Sequence, residues 1–314
     1  MGMLTLVEYA KGLEQSPTRA MVEQFAASSD IFEALPIEGL GAGSSVYEGL
    51  RQTELPSGLG FRGINEPSTS GTGKLSPFSE ASFVFDHNID VDRAIVDRYG
   101  SERMNQHIGM GVAAAGKMWT DTFFAGDNAA QPRQYDGIAR RAARFSNRVM
   151  HNSASSGGAP LSLYNLDRAI GNTMNPTHII ASWNLMPRFM QAARNTSIAG
   201  FVIQSYNEMG VPKMTYGNIP ILWGYKKDLH GVILPFSEVA SGGGSAVTTS
   251  IYVVSFGENG LRAIQLKPLA PTGPKLLEDE ITWRAHLSWD TGLVDEHQFC
   301  MTRLTSITDA AFVA

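Results

Sequence analysis

The stretch from Gly39 to Glu80 carries almost nothing from which to build a core. Gly39, Gly41, Gly43, Gly49, Gly58, Gly60, Gly63, Gly71 and Gly73 interrupt it, leaving only short strand-like runs such as Ser45-Val46-Tyr47 and Gly60-Phe61-Arg62. A segment that cannot bury apolar surface on itself is either an unstructured linker or an extended ribbon whose partner lies elsewhere. Composition alone permits the linker. Two aromatics read as its tip, Phe61 and Phe78, favour the ribbon, because free aromatic surface calls for a docking site.

Both flanks carry folding signals. Leu4, Val7 and Tyr9 lead into a first helical piece, and Ser16-Pro17 starts a second, with Ser16 placed to cap and Pro17 set for the first turn. Met21, Val22 and Phe25 give that helix an apolar side, and Ile31 to Pro36 reads as an extended connector. After the ribbon, Ala81 to Phe85 reads as a strand. The longest helical pattern then opens at Asp90 or Asp92. Val91, Ile95, Tyr99, Met104, Ile108, Val112, Ala115, Trp119 and Phe123 recur at helical spacing, with a phase slip near Gly100 that predicts a kink. The pattern stops at Ala125-Gly126-Asp127.

Further on, Ser153 to Pro160 is a Gly/Ser hinge and the candidate domain boundary. Leu161–Ile170 and Asn184–Arg194 read as helices, and Asn175 to Ala181 as a turn leading into a buried strand. Strands dominate the last third: 219–223, 231–235, 249–256, the alternating 281–289 and a final one over 294–304.

The bulk numbers exclude several classes. A chain of 314 residues with 43% hydrophobic and 18% charged content can bury a real core. Net charge of -5 argues against a dedicated nucleic-acid binder, whose affinity rests on Lys and Arg. No apolar run is long enough to span a membrane, and Met1 to Ala10 lacks the pattern of a secretory signal. The single cysteine, Cys300, excludes an internal disulfide or thiolate cluster.

Signals for chemistry are sparse. Gly39-Leu40-Gly41-Ala42-Gly43 neither follows a strand nor opens a helix, and Ser241 to Ser245 reads as a hairpin loop. The seven histidines are scattered without metal-ligand spacing. Asp86, His87 and Asp92 are the one set an α+β hydrolase or transferase could use; capping and dipole compensation explain the carboxylates more cheaply. No catalytic, cofactor-binding or metal residue is assigned.

Ordered along the chain, these signatures resemble the major capsid proteins of tailed bacteriophages, which share the Hong Kong 97-like α+β fold with encapsulin shells. The similarity runs from the helical arm and Gly-rich loop through the long helix to Phe124-Ala125-Gly126-Asp127 with Tyr135-Asp136-Gly137-Ile138. It continues through Asn175-Pro176-Thr177-His178, Gly217-Asn218-Ile219-Pro220-Ile221, Thr249 to Gly257, and Trp283 to Trp289 with Gly292-Leu293. The resemblance implies an N-terminal arm over 1–38 and an extended β-hairpin loop over 39–82. A peripheral domain would take 83–158 and 282–314, with a spine helix at about 90–124, and an axial domain 159–281. It further implies self-assembly into pentamers and hexamers around double-stranded DNA, which is touched non-specifically in a virion made in the bacterial cytoplasm. A separate scaffolding protein and a portal are the expected partners, with room for a decoration protein. An encapsulin-like compartment is the alternative. Some members crosslink subunits through a Lys–Asn bond; Lys74 and Asn65 are the only such residues of the loop, and no matched acid stands out.

Charge supports a self-complementary subunit. Residues 1–90 hold five Lys/Arg against twelve Asp/Glu, whereas 126–195 hold eight arginines against three acids. Opposite potentials steer the register of head-to-tail contacts. The expected intersubunit set is therefore Glu48, Glu54, Phe61, Glu66, Lys74 and Phe78 of the loop, with Arg140, Arg141 and Arg144 of a neighbour. A solvated helix face with local partners, or a lining against packaged DNA, would use the same arginines.

Overall fold

The computed structural model describes residues 3–13, 17–41, 43–195, 202–206, 212–227 and 229–313. The expected Ser16 cap lies outside them. The arm is built from α1 (Leu6–Lys11), α2 (Pro17–Ala27) and α3 (Ile31–Ala34). Thr5 and Glu8 cap α1 reciprocally. The segment expected as an extended connector is thus helical at its start, because Ile31, Phe32 and Leu35 are all buried and one helical turn places them together.

Next come β1 (Ile37–Gly39), β2 (Val46–Glu54), β3 (Lys74–Ala81) and β4 (Phe83–Asp92). β2 and β3 pair only with each other, from Val46 opposite Ala81 to Glu54 opposite Lys74 with a register shift between Gln52 and Glu54, so the Gly-rich ribbon is a projecting hairpin. The long helical pattern resolves into α4 (Arg93–Tyr99) and α5 (Ser101–Ala125). Two expectations change here. Asp90 and Val91 belong to β4, with Asp92 capping α4 through the Ala94 N–H. At Gly100 the helix is interrupted rather than kinked, since φ there is +81°. Beyond the break the periodicity holds: Met104, Ile108, Val112, Ala115, Trp119 and Phe123 are buried.

α6 (Ile138–Ala143), β5 (Val149–His151), α7 (Leu163–Asn172), β6 (His178–Ile180) and α8 (Met186–Arg194) follow. The remaining strands are β7 (Val202–Tyr206), β8 (Pro212–Tyr216), β9 (Ile219–Leu222), β10 (Glu238–Val239), β11 (Ala246–Val254), β12 (Leu261–Leu276), β13 (Thr282–Asp295) and β14 (Met301–Ile307).

Two sheets hold the body. One runs β1-β12-β13-β4; the other runs β5-β14-β11-β6-β9-β8-β7, with β10 on β11. Prolines 268, 271 and 274 are tolerated in β12 because β1 covers only Ala263–Gln265, leaving the proline stretch on an edge. The alternation of β11 divides two cores. Ile251 and Val253 face the cluster of α7 and α8, while Tyr252 and Val254 face that of α2 and α5.

The expected domain limits need revision. β12 pairs with β13 from Leu261–Asp295 to Leu276–Trp283, so a boundary at 281 would cut one hairpin. β14 leaves that sheet and lies between β5 and β11 in the other, which divides 282–314 between the two. The final strand accordingly begins at Met301, Val294 belonging to β13, which ends at Asp295. The Gly/Ser stretch after β5 is docked, with Gly157 N–H on Gly243 and Ala159 N–H on Ser306.

Candidate assembly interface

The site begins at the end of α5. Gly126 and Gly137 touch backbone to backbone, with the Gly137 N–H on the Gly126 carbonyl at 2.8 Å. A Cβ on Gly126 would sit 2.4 Å from the Tyr135 oxygen, and one on Gly137 2.7 Å from the Gly126 nitrogen. This tight return sends α6 back along the body and turns Arg141 inward.

Arg141 is 0% exposed. All five of its N–H donors are used within the chain. Nε reaches the Asp136 carbonyl at 2.8 Å; Nη1 reaches Glu80 at 2.9 Å and Asp295 at 2.5 Å; Nη2 reaches Glu80 and the Leu293 carbonyl at 2.8 Å each. Arg148 is equally enclosed, bonding Asp295 at 2.7 Å, the carbonyls of Arg141, His297 and Gln298, and the Cys300 sulfur at 3.6 Å. Arg144 joins from the rim, on Glu80 and, at 2.8 Å, Asp136.

Two hairpin residues complete the cluster. Glu80 of β3 takes both Arg141 and Arg144. Arg51 of β2 bonds the Asp295 carbonyl and the Glu296 carbonyl at 3.1 Å, lies 3.3 Å from the Asp295 carboxylate, and stacks 4.4 Å from the Phe78 ring centre. Beside it Tyr47 bonds Glu296 at 3.1 Å and receives Arg262 at 2.7 Å, and Arg262 holds Glu38 at 2.5 Å. The hairpin base is therefore clamped by ion pairs to β13 and α6 and by the Tyr47 hydroxyl to Arg262 of β12.

Asp295 is the keystone. Burial would raise its carboxyl pKa, but the facing guanidiniums, Arg141 first, outweigh that and hold it below its ordinary value. Asp136 is likewise held low: burial opposes, and the Arg144 hydrogen bond prevails. Cys300, beneath Arg148, is pushed up to about 12 by burial, so it is a packing residue rather than a nucleophile.

Beyond the clamp the hairpin stands free. Nineteen residues, 55–73, separate the last strand pair, and Phe61 among them is fully exposed, with Leu55, Leu59 and Ile64 also open. Glu48 and Glu66 are exposed, and Glu54 pairs with Lys74 across the ribbon at 2.8 Å. Phe78 is not at the tip; it is half-buried at the base between Arg51 and Tyr47. Arg141 cannot be an intersubunit contact, because it is buried with every donor occupied. Arg144 has its guanidinium committed to Glu80 and Asp136. Arg140 pairs with Asp127 at 3.0 Å and stays half exposed, so it alone of the three presents charge outward.

Asp86, His87 and Asp92 do not converge. Neighbours on β4 point to opposite faces; Asp86 lies 3.2 Å from His286, and Asp92 caps α4. Among the described residues no group of three His, Cys, Asp or Glu side chains could hold a metal ion, and no helix is long and apolar enough to cross a membrane. Sequence reasoning missed Asp295, Glu80, Arg51 and Tyr47. The one local signal for Asp295 was an acid closing the apolar run Leu293-Val294.

Arm, projecting hairpin, spine helix and two sheets together define the Hong Kong 97-like shell fold. Among the particular structures it matches are capsids and an encapsulin complex. The holo-SrpI encapsulin complex of Synechococcus elongatus matches over 100% of this chain and 99% of its own, with a TM-score of 0.61 and 10% identity. The capsid of a native GTA particle matches over 95% and 92% (TM-score 0.59, 10% identity), and Mycobacterium phage Bobi over 90% and 91% (0.56, 13%). No protein-family model matches the sequence, and no curated protein does.

Proposed function

We propose that this chain is the major shell subunit of a tailed-phage head, assembling into pentamers and hexamers that enclose double-stranded DNA. The observation that carries the reading is the hairpin. A buried ionic clamp holds out a ribbon whose apolar tip has nothing to cover it in a lone subunit. Such an element gains stability only by lying across another chain. Shell structures matched along nearly the whole length support the same role, a building role rather than a catalytic one. Glu48, Glu54, Phe61, Glu66 and Lys74 are then the outward contacts, with Arg140 on the receiving side. A scaffolding protein and a portal are the companions such a head requires, and a decoration protein could sit outside.

An encapsulin-like compartment is the second reading, favoured by the end-to-end match to the SrpI shell. The contents of purified particles separate the two: nuclease-protected DNA supports the head, and a bound protein cargo the compartment. Replacing 55–73 by a short Gly-Asn turn tests assembly itself. The subunit should keep its circular dichroism and lose all fast-sedimenting particles. Particles formed as before would overturn the role of the hairpin.

A further inference from the structure

A groove of about 440 Å³ opens beside β4, bordered by the second half of α5 and the loop that ends in Tyr135. Strand register places Thr291 opposite Phe83 and Trp289 opposite Phe85, so these four side chains share one face of the sheet. Trp119 of α5 stacks on Trp289 at 5.3 Å, and its ring lies 6.0 Å from that of Tyr135. Phe83, Phe85, Trp119 and Tyr135 thus give the groove aromatic walls, with Met118 exposed at its mouth.

Three residues that line it carry a buried polar atom with no hydrogen-bond partner: the indole nitrogen of Trp119 and the hydroxyls of Tyr135 and Thr291. The three residues are 1%, 4% and 1% exposed. An unpartnered buried polar group is unfavourable, and folded chains keep few of them. Three around one groove match a ligand that brings polar atoms of its own. The indole N–H can only donate, whereas each hydroxyl donates or accepts, and burial keeps the Tyr135 phenol protonated. The rim adds positive charge. Arg133 is exposed and has no ion-pair partner among the described residues, while Asp86, the bordering acid, already faces His286 at 3.2 Å.

We infer that this groove is a nucleotide site, holding a base between its aromatic walls and a phosphate on Arg133. Bases stack on aromatic side chains through faces that all of them possess. Ring nitrogens and exocyclic oxygens supply the acceptors and donors that Trp119, Tyr135 and Thr291 lack, and a guanidinium pairs strongly with phosphate. The volume falls in the range of small-ligand pockets. The same chemistry is offered by a free mononucleotide and by the unpaired end of a strand. The assignment rests on the single subunit and holds whichever particle that subunit builds.

Calorimetric titration of the purified full-length chain tests it, with deoxyadenosine monophosphate, a short oligodeoxyadenosine strand and benzoate as probes. Saturable one-to-one binding of the mononucleotide is expected, with benzoate, a planar anion without ring heteroatoms, weaker by about tenfold. A strand that binds at least as tightly and competes with the mononucleotide identifies strand ends as a source; binding of the mononucleotide alone identifies the free nucleotide. No binding of either, or benzoate binding equally well, would overturn the inference. Arg133→Gln should weaken binding by about tenfold, and Tyr135→Phe and Thr291→Val by about fivefold each. Because their hydroxyls have no partners, the last two variants should keep or raise the urea midpoint, which separates lost binding from lost folding. Binding unchanged in all three variants would overturn the site.

Discussion

Replacing Asp295 by asparagine removes the charge on which four arginines (Arg51, Arg141, Arg144 and Arg148) converge while keeping the shape of the side chain. Arg141 and Arg148 stand 2.5 and 2.7 Å from its two oxygens and are fully buried, with Arg51 at 3.3 Å. The asparagine oxygen can still accept from one guanidinium, but its amide group would face another as donor against donor. Breaking a buried ion pair by removing one partner costs about 3–5 kcal/mol, because the remaining charge stays desolvated. Glu80 keeps part of Arg141 satisfied, which places the expected loss toward the lower end of that range. Against a typical total of about 5–15 kcal/mol, the variant subunit should be severely weakened yet still folded. Urea unfolding of unassembled subunits, followed by tryptophan fluorescence, reads this directly, as Trp119 and Trp289 stack in the core with ring centres 5.3 Å apart. A loss below about 1 kcal/mol, the value of an exposed pair, would refute the claim that the clamp is a buried structural keystone.

Acid should act through the same group. The Asp295 pKa is depressed below 3.8 in the folded chain, so its contribution is fully present above that value and is lost as pH falls through the lower folded one. Stability measured between pH 5 and pH 2 should therefore fall, and Asp295→Asn should flatten that slope; an equal slope in both would contradict the assignment. Gly116→Val should loosen the arm, since a Cβ there meets the Ser28 hydroxyl at 2.1 Å and the Phe25 carbonyl at 3.0 Å. The expected cost is about 1–3 kcal/mol with faster proteolysis near α2, and unchanged cleavage would count against the packing described. Cys300 should resist alkylation at pH 8 until the chain is unfolded, and rapid native labelling would show its burial to be wrong.

The parts of the fold legible from sequence were those set by local periodicity. The buried face of α5, from Met104 to Phe123, follows directly from residues spaced three and four apart. The hairpin was legible as a segment unable to close a core. What was not legible depended on distant partners. Arg141 looks like surface because its helix is short and rich in arginine; only Asp295, 154 residues away, shows that this face turns inward. The domain limits failed for a related reason. The resemblance ended the axial domain at 281, yet β12 runs through its prolines and pairs with β13 as far as Leu276 opposite Trp283. The charge asymmetry between the first ninety residues and the middle was real, but much of it is spent inside the subunit, with Glu80 opposite Arg141 and Arg144. Only Arg140 of the three arginines remains to serve a neighbour.

The central claim is that this subunit builds a closed shell by laying its hairpin across its neighbour. Cryo-electron microscopy of particles formed by the purified chain measures that directly. The account predicts icosahedral shells of pentamers and hexamers, or of pentamers alone, in which residues 55–61 contact an adjacent subunit. A small soluble oligomer, or shells whose hairpins fold back on their own subunit, would contradict it.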